Sequence, residues 1–199
     1  MAERIHPLQV ASLLLQYPDE PRREAAAEIA EVEIAPGPAA ADRRLRELSA
    51  WYASRPLAEL ERAYVDAFDF TKQCSLHLTY HVHGDRRQRG LALLELKGAY
   101  RDAGFEPPAA ELPDFLPLML EFAAIAPGDA GLDLLEDNRV SIELVRAGLK
   151  RERSPFAPAL DAIVACLGRL NARKLSRIRR LAAEGPPAGE PTAPQPFSV

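Results

Sequence analysis

Apolar positions along this chain recur at three- and four-residue spacing, the period of an amphipathic helix, and several of the runs open on a capping residue beside a proline. His6-Pro7 precedes Leu8, Ala11, Leu14 and Leu15; Asp19 to Pro21 precedes Ala25, Ile29 and Val32; Ser54 to Pro56 precedes Leu57, Leu60, Tyr64 and Phe68. The same pattern predicts helices at about 41–53, 75–82, 85–103, 114–125, 129–150 and 155–183. No stretch alternates as a strand does. The expectation is an all-α, single-domain helical bundle of about nine helices over residues 1–184. A proline-rich segment, 185–199, is expected to be a disordered tail. Gly104 and Gly185 are placed to end helices in the left-handed conformation.

Two helices stand out. The run from Gly90 to Tyr100 is apolar nearly all round, which predicts a helix sandwiched at the centre of the bundle, with Gly98 admitting a close neighbour. The run after Arg169 is basic, with Arg173, Lys174, Arg177, Arg179 and Arg180, and reads as cations favoured at a helix C-terminus.

Composition narrows the class. With 47% hydrophobic and 27% charged residues and a net charge of −4, the chain is an ordinary globular protein without a field that attracts nucleic acid or an anionic membrane. Neither partner is expected. No run reaches the ~18 apolar residues of a membrane span, and the first residues do not read as a secretory signal. The two cysteines, Cys74 and Cys166, lack the spacing of a disulfide scaffold, so a cytoplasmic location is expected. Cys166 lies in an apolar run and reads as core.

The chemistry concentrates between Cys74 and Gly90. On a single helix, Cys74, His77 and His81 would share a face with zinc-compatible spacing, but a structural zinc site usually draws on two separated ligand pairs, and here there is one. Alternatively the leucines of this segment pack while His77, His81 and His83 hydrogen-bond at a helix edge. In a third reading the imidazoles and Tyr80 line a groove for a peptide, with aromatic area giving affinity and polar tips fixing register. After Gly84, Asp85 reads as an N-cap for the next helix. Arg86, Arg87 and Arg89 would then oppose the dipole of its first turn, and acids at Asp66 and Asp69 or at Glu111 and Asp114 are expected to offset them. The phosphate-loop, nucleophile-elbow and His-Glu-x-x-His patterns of common enzymes are missing, and Asp66 with Asp69 reads as a solvated pair, so no catalytic role is expected.

At these residues the sequence resembles the NarJ-type nitrate reductase assembly chaperones, within the wider TorD and DmsD group of redox-enzyme maturation proteins. The resemblance runs through Leu13 to Glu20, Tyr64-Val65-Asp66-Ala67-Phe68-Asp69, and Leu76-His77-Leu78. It peaks at His81-Val82-His83-Gly84-Asp85-Arg86-Arg87-Gln88-Arg89-Gly90 and continues through Glu111-Leu112-Pro113-Asp114 and Leu116-Pro117. Phe115 stands where the family carries a histidine, so whatever hydrogen bond that imidazole makes in relatives is absent. The resemblance implies a TorD-like fold without a cofactor of its own. It also implies that the protein binds the apo catalytic (alpha) subunit of respiratory nitrate reductase, including its N-terminal peptide, and holds it competent for molybdenum cofactor insertion before membrane attachment. Proteins that deliver the cofactor are further expected partners. Carried over by motif, the partner-binding residues are Tyr64, Asp66, Phe68, Asp69, His77, Tyr80, His81, His83, Gly84, Asp85, Arg87, Arg89, Gly90, Glu111, Pro113 and Asp114. The alternative is a small helical metal-binding protein using Cys74, His77 and His81.

Overall fold

In a computed structural model the chain is all-helical, and residues 5–32, 34, 37–170 and 172–184 are described. The expected tail, 185–199, and the cap expected at Gly185 lie outside the described residues. Among the described residues there are eleven helices rather than nine, one 3-10 turn and two isolated bridges, with no longer strand. The helices are α1 (Pro7–Leu14), α2 (Glu20–Glu31), α3 (Ala39–Ala53), α4 (Leu57–Phe68), α5 (Leu78–His83) and α6 (Arg87–Asp102). After them come α7 (Leu116–Ile125), α8 (Ala130–Asp137), α9 (Arg139–Arg151), α10 (Ala157–Cys166) and α11 (Ala172–Glu184). The 3-10 turn, Lys72–Cys74, joins α4 to α5.

Capping by sequence works at the first two helices. The His6 imidazole accepts from the Leu8 amide at 3.2 Å, and the Asp19 carboxylate accepts from the Arg22 amide at 2.8 Å, each satisfying an amide that a helix start leaves bare. Ser54 instead closes α3, donating to the Trp51 carbonyl, and α4 begins at Pro56 without a side-chain cap.

The core gathers around α1, which packs on α2, α3, α7 and α10, while α9 lies against α10, α11 and the 3-10 turn. Leu8, Val10, Ala11, Leu14 and Leu15 are fully buried. Gly148 on α9 lets the turn approach closely: a Cβ there would lie 2.9 Å from the Cys74 sulfur. Cys74 is accordingly buried.

The helix expected at the centre is at the surface. α6 packs chiefly on α5, only Leu96 and Tyr100 of it are buried, and Leu91 and Leu94 are more than half exposed. An added Cβ at Gly98 would meet nothing within 4 Å, so no helix crosses there. Counting apolar residues without their phase overstated the buried face. Gly104 does end α6 as expected, with φ +82° and its amide bonded to the Arg101 carbonyl at 2.8 Å.

Two expected long helices are each broken. Residues 129–150 divide at Asn138 into α8 and α9, and 155–183 divides near Gly168, φ +73°, into α10 and α11. The second break changes the electrostatics of the basic run. Arg173 and Lys174 fall in the first turn of α11, and no cation occupies its last turn. The dipole therefore opposes these two charges, by about 0.3–1 kcal/mol each, instead of favouring them.

Candidate functional site

α5 does not begin at residue 75, because the chain before it is held extended against the segment entering α7. The Leu116 amide donates to the Leu76 carbonyl at 2.8 Å and the Leu78 amide to the Asp114 carbonyl at 3.0 Å, and His77 pairs with Phe115 as an isolated bridge. The start of this short helix is then capped from a distance. Asp114 is fully buried, and its carboxylate accepts from the Thr79 amide at 3.1 Å and from the Thr79 hydroxyl. This supplies the acceptor that His77, at the N-cap, does not.

The same carboxylate gathers both flanks. His77 Nδ1 donates to Asp114 Oδ1 at 3.3 Å, the acceptor-only carboxylate assigning the proton to that nitrogen. Arg89 on α6 brings Nη2 to 3.6 Å of Asp114, donates Nε–H to Thr79 Oγ1 at 3.2 Å, and lies 3.9 Å from Asp85. Burial pushes the Asp114 carboxyl up, but hydrogen bonds from His77 and Thr79 and the charges of His77 and Arg89 outweigh it and hold the group below its ordinary value. Of the acids expected to offset the arginines, Asp114 does so directly; Asp85 helps in place of Asp66, Asp69 or Glu111. Asp85 is not the N-cap of α6, which is Arg86. Arg87 is exposed.

Six candidate residues, Phe68, Asp69, His77, Tyr80, Asp85 and Arg89, line one cavity of about 220 Å³, together with Lys72 and Ser75. Phe70, next in the chain after Asp69, is 79% exposed, an unusual cost for a phenylalanine beside a polar cavity. The Phe115 ring lies 5.4 Å from that of His77, so the position supplies an apolar backing, and the polarity of this corner comes from Asp114.

The other candidates sit elsewhere. Tyr64 is in the core, its ring 4.7 Å from Phe68 and 5.9 Å from Phe156, with its hydroxyl bonded to the Leu15 carbonyl. Asp66, Glu111 and Gly90 are exposed and outside the cavity. Pro113 is buried, its carbonyl accepting the Tyr100 hydroxyl at 3.0 Å. Gly84 ends α5 at φ +58°, a conformation a side chain would strain. His83 faces a separate groove of about 300 Å³ between α6 and α9.

His81 is buried and donates Nε2–H to the Ser75 carbonyl at 2.8 Å; burial holds its protonation below the usual histidine range despite that bond and the charge of Asp114. It lines a third cavity, of about 160 Å³, against α9 and α11. The zinc alternative needed Cys74, His77 and His81 on one helix. Instead Cys74 belongs to the preceding turn, packed against Gly148, and each histidine is committed to a different acceptor. Among the described residues no three groups are placed to hold a metal.

Sequence reasoning missed Thr79, which a motif of histidines and arginines does not single out, and Phe70, whose exposure only the fold reveals.

The chain matches the family model described as the nitrate reductase delta subunit over residues 34–162. A probable nitrate reductase molybdenum cofactor assembly chaperone NarJ of Bacillus subtilis (strain 168) is 36% identical over 174 residues, 82% of this chain and 89% of the relative. A probable nitrate reductase molybdenum cofactor assembly chaperone NarW of Escherichia coli (strain K12) is 30% identical over 161 residues, 81% of this chain and 68% of the relative. The nitrate reductase-like protein NarX of Mycobacterium tuberculosis (strain H37Rv) is 39% identical over 156 residues, which are 78% of this chain and 23% of that longer protein. A match of this extent, over the helices that build the Asp114 corner, shows that the chain belongs to the nitrate reductase delta subunit family.

Proposed function

We propose that this protein is an assembly chaperone that binds the apo catalytic subunit of a nitrate reductase, including its N-terminal segment, and holds it competent for molybdenum cofactor insertion before membrane attachment. The observation that carries the reading is the 36% identity to a NarJ chaperone across most of both chains. The cavity beside Asp114 supports it as the place where a client segment docks. Tyr80 and Phe70 offer aromatic area at low entropic cost, and His77, Asp85 and Arg89 present polar tips held in place by a buried carboxylate. Residues 1–184 form the chaperone unit, acting in the cytoplasm with 185–199 as an appended tail, and proteins that deliver the cofactor are further partners. No helix among the described residues is long and apolar enough to cross a membrane.

Such a helper works by differential affinity. A hundredfold preference for the unfinished client corresponds to about 2.7 kcal/mol, within reach of a few buried contacts that the finished client withdraws. Co-purification with the catalytic subunit, before and after cofactor insertion, tests this. A complex with the apo subunit alone is expected; no complex with it overturns the reading.

A further inference from the structure

α11 carries the largest net charge of the described helices. Arg173, Lys174, Arg177, Arg179 and Arg180 against Glu184 alone give it +4 in a chain whose total is −4, so all other residues together carry −8. The fold accounts for one of these cations: Lys174 donates to Glu136 Oε1 at 2.6 Å and to the Glu136 carbonyl at 2.8 Å. Among the described residues, Arg173, Arg177, Arg179 and Arg180 form no salt bridge, and all four are exposed. The apolar side of the helix is already in use, with Ile178 buried and α9 packed beneath it. What remains open is a groove of about 810 Å³ between α11 and the start of α9, where Arg173, Arg177 and Arg180 stand at i, i+4 and i+7 above Val140. Asp137 is the one carboxylate lining it.

We propose that this groove docks an acidic helical segment of a partner protein, distinct from whatever occupies the cavity beside Asp114. Three arginines one helical turn apart match carboxylates repeated at the same interval on an antiparallel or parallel helix. Val140 gives such a segment an apolar contact. A concave groove suits a protruding segment better than a flat bilayer. The lining has no aromatic ring on which bases could stack, and the −8 carried by the rest of the chain repels an extended polyanion. Position-dependent steering of this kind acts within about 10 Å at 0.1 M salt, so the interaction is salt-sensitive.

The probe is a labelled 15-residue helical peptide with glutamates at i, i+4, i+7 and i+11, titrated by fluorescence anisotropy, with a same-length lysine peptide as control. The glutamate peptide is expected to bind the full chain, to weaken at least tenfold between 0.05 and 0.5 M salt, and to lose at least tenfold in the variant R173E/R177E/R180E. The glutamine variant R173Q/R177Q/R180Q, which adds no repulsion within the helix, is expected to lose at least threefold and serves if the glutamate variant loses its helical circular dichroism. Equal affinity for wild type and the glutamine variant overturns the proposal. So does tighter binding of a single-stranded oligonucleotide or of phosphatidylglycerol vesicles than of the peptide. His77→Ala is expected to keep the peptide affinity, so failure of client binding at the Asp114 corner and failure of this groove are read separately.

Discussion

Two buried clusters of opposite charges pin this fold, and they differ in what lies beside them. Around Arg139, which is 1% exposed, the guanidinium donates to Glu143 at 3.1 Å, to Glu136 at 3.2 Å and to the Gly168 carbonyl at 3.0 Å. Arg146 continues the chain to Glu143 at 3.0 Å and to Asp161 at 2.6 Å, tying α9 to α10. The bonds there run between side chains of the protein and to one backbone carbonyl, with Arg139 and Glu143 buried and Arg146 and Glu136 about one-third exposed. Around Asp114 the carboxylate is as deeply buried, but its partners border a cavity: His77 and Arg89 both line it, and Arg89 reaches the carboxylate only at 3.6 Å with Nη2 while turning Nη1 toward Asp85. The first cluster closes a seam between helices. The second holds side chains at the edge of a cavity, with donor capacity left over for something outside.

Removing a buried charge is expected to have the largest effect on either cluster. Arg139→Met leaves Glu143 with Arg146 alone and unpairs the Gly168 carbonyl, with an expected loss of about 3–5 kcal/mol in urea unfolding. The folded fraction should still bind client with wild-type affinity; a client-specific defect would erase the distinction between the clusters. Asp114→Ala is expected to cost about 2–3 kcal/mol, since it strands the Thr79 amide and leaves His77 and Arg89 without their shared acceptor. This variant should lose client binding as well. Retained binding at a temperature where it is folded would show that the cavity is not the docking place.

pH sharpens the same contrast. The folded-state pKa of His81 lies below its unfolded value of 6.5, so the neutral imidazole contributes stability that is full above that value and is lost as pH falls through it. Melting temperature should therefore drop between pH 7.5 and 5.5, and His81→Gln should flatten that slope; an unchanged slope contradicts the buried neutral imidazole. Asp114 runs to a different window: its lowered pKa contributes stability present above the ordinary aspartate value of 3.8 and lost only as pH falls below it. The smallest stability effect is expected at Phe70→Ala, within about 0.5 kcal/mol by thermal unfolding, because the ring is largely in water. Its client affinity is expected to fall tenfold or more, and unchanged affinity would remove Phe70 from the site.

Much of this was legible in the chain, for reasons that can be named. His6-Pro7 and Asp19 to Pro21 carry their caps within four residues, so their helices start where the pattern says. The motif from His81 to Gly90 is local, and two of its residues, Asp85 and Arg89, line the cavity beside Asp114, while His81 and His83 line others. What stayed hidden depends on distance or phase. Asp114 reaches Thr79 across 35 residues, and nothing near either position announces the bond. The division at Asn138 has no glycine or proline to mark it, whereas Gly168 does mark the second break, although the apolar run on either side of it continues at helical spacing. The exposed face of α6 was unreadable for the opposite reason: Leu91 and Leu94 look like core until the neighbouring helices are seen to lie elsewhere. These two leucines and Phe70 are where the surface departs most from what a self-contained protein shows.

The most direct test of the account is a titration of the full chain with the nitrate reductase catalytic subunit in its cofactor-free and cofactor-loaded forms, by calorimetry under one buffer and salt condition. Binding to the cofactor-free subunit is expected to be at least a hundredfold tighter than to the loaded one, and to be lost in His77→Ala and Phe70→Ala. Equal affinity for the two forms, or full affinity in both variants, would contradict it.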